Sequence, residues 1–164
     1  MRFLAALPLV LTLLVPAPSV GAPGPGPPRH ELTVALGVLH GWDDRRARAW
    51  AAGDTVALRS LYVAGSVAAR SDVRLLRAYT ARGLVVRRLV TQVFAVRVLE
   101  AGPATLRLEV FDRVAGGVVD DGAGEATLPS SRPVRRTVSF RVVQGSWRVA
   151  AVSDSGSGPR GGRR

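Results

Sequence analysis

WDDRRARAWAAGDTVALRSLYVAGS, residues 42–66, carries two tryptophans with Asp and Arg between them, then a Gly-Asp break and a second apolar run. Upstream, Leu32, Ala35, Leu36 and Leu39 join Trp42 and Trp50 at helical spacings, which sets all six on one face of an α-helix. Gly37 and Gly41 each weaken that helix by ~1 kcal/mol relative to Ala, which places its start near residue 34. Ala49, Ala51 and Ala52 carry it to Gly53, a residue suited to the left-handed conformation that ends a helix. Asp54 is expected to cap a second helix bearing Val56, Leu58, Leu61 and Tyr62, closed by Gly65 and Ser66. Ser71 or Asp72 is expected to cap a third, running to about Arg82, with Val73, Leu76 and Tyr79 on one side and Arg70, Arg74 and Arg77 on another.

From Leu84 the period changes to two. In residues 104–112 Ala104, Leu106, Leu108 and Val110 alternate with Thr105, Arg107 and Glu109. Val138, Phe140 and Val142 alternate with Ser139 and Arg141, and Trp147 and Val149 flank Arg148. These are antiparallel strands with one covered face. Residues 85–99 read as one long bent strand, and residues 116–131 as a poor strand with a loop. Three helices followed by four or five strands make an α+β domain, with N-terminal helices packed on a curved antiparallel sheet.

The chain has 164 residues, 47% hydrophobic, a formal net charge of +11 and no cysteine. That is enough apolar material for one core. It excludes a disulfide framework, thiolate metal sites and a cysteine nucleophile. All 23 basic residues are Arg. A surface built for phosphate would mix in Lys, a good point charge, so the charge reads as composition and nucleic acid is not a favoured partner. Arg2, the apolar run 3–15 and the small residues 17–22 have the layout of a secretory signal peptide over 1–21. The run is shorter than the ~20 residues of a membrane-spanning helix, although an uncleaved anchor stays an alternative. Residues 22–30 then form a Pro/Gly-rich linker, 31–154 the domain, and 155–164 a disordered basic tail able to touch an anionic envelope surface.

The helical pattern of residues 42–66, SDVRLLRAYTARG (71–83) and the terminal GSWRVAAV (145–152) together resemble the nuclear transport factor 2-like superfamily, also called cystatin-like or SnoaL-like. The resemblance covers about residues 34–152, and it is to exported bacterial members in particular. It implies a cone in which a curved sheet wraps a long helix around a pocket. Family members include isomerases, cyclases, dehydratases and hydrolases as well as non-catalytic binding modules, so function has to come from residues.

The strand positions expected to face inward, Leu106, Leu108, Val110, Val138, Phe140, Val142, Trp147 and Val149, are all apolar. Asp43 and Arg46 break the helical stripe and lie within reach of each other. They are either the polar floor of a small-molecule pocket or a structural pair at the cone mouth. A carboxylate beside Arg has its pKa lowered and accepts protons poorly near neutral pH. The structural reading is therefore preferred, and Asp43→Asn is expected to lower stability somewhat. The pocket candidates are Trp42, Asp43, Arg46, Trp50, Tyr62 and Tyr79, with no catalytic residue assigned. His40 reads as exposed, Asp54 and Asp72 as caps, and Asp120, Asp121 and Glu125 as a solvated hairpin loop rather than a calcium site. No cofactor or metal is expected. The favoured function is an exported, non-catalytic domain that binds an envelope protein or small apolar ligand. The alternative is a small pocket enzyme of isomerase or hydrolase type, using Asp43 with Arg46 or a Tyr. The oligomeric state stays open.

Overall fold

A computed structural model describes residues 29–154; the signal peptide, most of the linker and the basic tail expected above lie outside them. Three helices precede five strands: α1 (Arg29–Ala52), α2 (Thr55–Ser60), α3 (Val67–Thr80), β1 (Val85–Ala101), β2 (Thr105–Asp120), β3 (Glu125–Leu128), β4 (Val134–Val143) and β5 (Ser146–Asp154). The α+β order is as the periodicities require. Helix α1 begins at Arg29, inside the stretch expected as linker, so Gly37 and Gly41 are carried by the packed face around them. Gly53, at φ +64°, ends α1 in the left-handed region. Asp54 then caps α2, accepting from the backbone N–H groups of Val56 and Ala57 at 2.9 Å.

Two helix boundaries differ from expectation. Helix α2 stops at Ser60; Val56 in its first turn is exposed, while Leu61 and Tyr62 are buried in the segment that follows. Ser66, expected to close α2, instead caps α3 through the Ala69 N–H. Helix α3 therefore starts more than a turn early, and Asp72 is no cap but a buried residue in its interior. A Ser followed by a small apolar run caps as well as a Ser-Asp pair does, and burial decides between them.

The sheet is antiparallel, in the order β1-β2-β4-β5, with β3 pairing the far end of β2. Residues 116–120 belong to β2 and close a hairpin with β3, a firmer arrangement than the expected poor strand. Asp120 and Asp121 hold the hairpin turn, accepting from the N–H groups of Gly122, Ala123 and Gly124. Strand β1 shifts register against β2 at four places, which bends it around α1. Gly117 sits where a Cβ would press on the backbone oxygens of Arg87 and Arg88, at 3.3 and 3.4 Å. Residues 61–63 clamp the free edge of β5: Val63 N–H donates to the Val149 carbonyl and Val149 N–H to that of Leu61.

The core lies between the helices and the concave face of the sheet. Leu106, Leu108, Val110, Val138, Phe140 and Val149 are buried there with Ala35, Leu39, Trp42, Trp50, Leu58 and Leu76. Trp42 stands edge-on to both Tyr62 and Phe140, with ring centroids 5.7 and 6.3 Å away. Val142 and Trp147, the last inward pair of the β4–β5 hairpin, are only partly buried.

Candidate functional site

The alternation that buries Leu106, Leu108 and Val110 on β2 continues one step further, to Asp112, and that carboxylate is 2% exposed. On β4 the same face runs back from Phe140 and Val138 to Arg136, which ion-pairs with Asp112. The concave face is therefore not wholly apolar, contrary to the sequence expectation. It ends in a charged pair where the sheet opens away from α1. The pattern to Asp112 and Arg136 was visible, but an apolar count stops where the first charge appears.

The helices add a second polar group. Arg46 points at Asp72, with Nε and Nη2 each 2.7 Å from a carboxylate oxygen. Trp50 Nε1 and the Tyr62 hydroxyl also donate to Asp72, at 3.2 and 2.6 Å. One carboxylate thus accepts four hydrogen bonds. Arg46 lies 6.0 Å from the ring of Trp42 and 5.7 Å from that of Trp50, one helical turn to either side of it. The tryptophans of residues 42–66 are the two walls of that guanidinium. Burial and then the neighbouring Asp72 raise the Tyr62 pKa far above its ordinary value, so its hydroxyl stays a donor. Tyr79 stacks edge-on against Trp50 and its side chain lies outside the pocket.

With Arg46 committed to Asp72, the expected Asp43–Arg46 pair does not form. Asp43 has Thr91 Oγ1 at 3.5 Å on β1. Its pKa is raised, not lowered: burial outweighs the attraction of Arg46 and Arg136. Between the ordinary carboxylate value and the raised one, the folded chain therefore holds a proton at Asp43 that the unfolded chain has already released. Stability falls as pH rises from the ordinary carboxylate value through the raised one, and the loss persists above it. Asp43→Asn removes that penalty. We expect the variant to exceed the parent in stability at pH 7 by roughly 0.5–1 kcal/mol, the reverse of the effect expected for a paired carboxylate. Urea unfolding from pH 3 to 8 checks this; a variant weaker than the parent at pH 7 would make Asp43 a structural anion.

These groups line a pocket of about 450 Å³ between α1, α3 and the sheet. Trp42, Asp43, Arg46, Tyr62, Asp72 and Asp112 form its inner wall with Arg136, while Val67, Leu75 and Val134 form an exposed apolar lip. On the other side of Asp43, Arg46 and Thr91 lies a smaller pocket of about 230 Å³ beside the exposed His40. Among the described residues no group of three or more His, Asp or Glu is placed to hold a metal ion.

The fold is the α+β architecture that the nuclear transport factor 2-like resemblance implies: N-terminal helices packed on a five-stranded antiparallel sheet. The intermembrane space region of the chloroplast protein ARC6 superposes with a TM-score of 0.51 at 12% identity, over 77% of this chain and 98% of that one. Aln2 from a Streptomyces species superposes with a TM-score of 0.51 at 17% identity, over 79% and 94%. A protein from Novosphingobium aromaticivorans described as NTF2-like with a cystatin-like fold aligns at a TM-score of 0.44 and 16% identity, over 76% and 82%. The likeness to ARC6 and Aln2 is one of fold alone. No protein-family model matches the chain, and no curated protein matches it in sequence.

Proposed function

We infer that the domain binds a small uncharged molecule in the pocket between α1, α3 and the sheet, and that Asp43 exchanges a proton with it. The observation that carries this is the pairing of charges. Arg46 is neutralised by Asp72 and Arg136 by Asp112, which among the described residues leaves Asp43 as the one pocket carboxylate without a cationic partner. A desolvated carboxyl without a cationic partner, its pKa raised by burial, is placed for general acid–base work on a bound molecule. The polar inner wall suits a hydroxyl or carbonyl head, and the lip of Val67, Leu75 and Val134 suits an apolar body. The reaction class is proton transfer, as in an isomerisation, dehydration or hydrolysis. A non-catalytic reading has its own support: the same lip is 47–69% exposed, as a surface that docks an envelope protein or holds a ligand without turnover would be. Placement outside the cytoplasmic membrane rests on the residue 1–22 layout alone.

The test is a thermal-shift panel of neutral hydroxy and carbonyl compounds on the full chain, followed by turnover assays on the binders. Asp43→Asn should keep binding and lose about 100-fold in turnover. Binding without turnover in the parent supports the non-catalytic reading. Turnover that survives Asp43→Asn, or a panel with no binder, removes the small-molecule reading.

A further inference from the structure

On the opposite side of α3 from the pocket, a groove of about 350 Å³ runs between that helix and residues 63–66. Its floor is apolar: Val63, with Ala69 and Val73 buried beneath it. Its rim is four arginines, Arg59 from the end of α2 and Arg70, Arg74 and Arg77 from successive turns of α3, all exposed.

Among the described residues these four have no acidic partner, as Arg113, Arg141 and Arg148 on the sheet also have none; what sets them apart is that they converge on one groove. On the sheet, Arg87, Arg88, Arg97, Arg107, Arg135 and Arg136 each ion-pair with a carboxylate. None of the four rim arginines has a carboxylate partner among the described residues; Arg70 donates only to the Gly65 carbonyl. Between residues 55 and 84 the one acidic residue is Asp72, which is buried on the far face and occupied by Arg46. The groove is a concave apolar strip with uncompensated positive charge on both flanks.

We propose that this groove docks an acidic peptide segment of a partner protein, with apolar side chains on Val63, Ala69 and Val73 and carboxylates on the arginines. From Arg70 to Arg77 the rim extends ~10 Å along the helix, so it suits several negative charges spread along a chain rather than one head group. A flat anionic bilayer does not reach the floor of a concave groove. Single-stranded nucleic acid binds by stacking bases on aromatic side chains, and this groove has none. The site is separate from the Asp43 pocket and stands or falls without it.

The probe is a short fluorescent peptide with Glu at helical spacing and Leu between, titrated into the full chain. Beside it run an all-Glu peptide and vesicles of phosphatidylglycerol. The Glu–Leu peptide should bind, more weakly as salt rises, and at least about tenfold more tightly than the all-Glu peptide. Arg59→Gln with Arg74→Glu should weaken it at least about tenfold, a shift of 1.4 kcal/mol or more. Arg107→Glu on the sheet should leave it unchanged. The side chains of Arg59, Arg74 and Arg107 are all solvent-facing, and circular dichroism checks that the variants stay folded. The proposal is overturned if the peptide does not bind, if all-Glu binds equally, or if the Arg59/Arg74 variant binds as the parent does. It is also overturned if vesicles bind through the same two arginines and displace the peptide, because the groove then serves a lipid surface.

Discussion

Asp72→Ala is expected to destabilise the domain by ~3–5 kcal/mol. The carboxylate is 9% exposed and accepts from Arg46 twice, from Trp50 and from the Tyr62 hydroxyl. Removing it strands a largely buried guanidinium held between two indole rings without its ion-pair partner. It also strands two buried donors, each costly to leave unpaired. Breaking a buried pair from one side is much worse than replacing both members, since the second change removes the uncompensated charge. Asp72→Leu combined with Arg46→Met should therefore recover part of the loss. Asp72→Asn, which keeps the shape and one acceptor oxygen, should fall between parent and Asp72→Ala. Urea unfolding followed by tryptophan fluorescence reads all four proteins, with Trp42 and Trp50 reporting directly on the site. A loss under 1 kcal/mol for Asp72→Ala would mean that Arg46 has another partner and that Asp43 is not left alone.

Phe140→Ala should cost a similar ~3–5 kcal/mol, and Trp147→Ala only about 1–2 kcal/mol. Phe140 is 1% exposed, pairs with Leu106 and Val149 on the neighbouring strands, and meets the edge of Trp42. Deleting it leaves a cavity where α1 rests on the middle of the sheet. Trp147 lies at the rim, partly open to solvent beside Val142, so its neighbours can close over the gap. The strand pattern alone puts Trp147 in one core with Trp50 and Phe140 and gives it a loss of ~3–5 kcal/mol. Its loss is smaller because inward-facing is a property of phase, while burial depends on what covers the strand, and open grooves run between α1 and Trp147 at the β4–β5 turn. Equal losses for the two variants would put Trp147 in the centre of the core.

The functional consequence of the Asp72 network is what it leaves free. Had Arg46 turned to Asp43, the carboxylate without a cation would be Asp72, already held by Trp50 and Tyr62, rather than Asp43. Asp72 outcompetes Asp43 because it offers both oxygens in a bidentate geometry, in a place already shaped by Trp42, Trp50 and Tyr62. A neighbour on the same helix has no such advantage. The stability penalty at Asp43 and its availability for proton transfer are thus two aspects of one arrangement.

Local rules read from the chain alone determined the helix break at Gly53-Asp54, the change from helical to alternating period near residue 84, the long bent first strand and the α+β class. Each depends on neighbours within a few residues: a left-handed glycine, an Asp that caps the N–H groups two and three residues on, side chains that alternate across a pleat. Tertiary structure alone decided that Ser66 caps α3, that Asp72 is buried rather than capping, that Arg46 chooses it over Asp43, and that Asp112 and Arg136 face the pocket. Those outcomes turn on contacts across 24 to 26 residues of chain, the separations of Arg136 from Asp112 and of Arg46 from Asp72. Charge and burial compete at such distances through solvation, and which carboxylate keeps its water depends on how the sheet curves around α1, a property that no window of sequence contains.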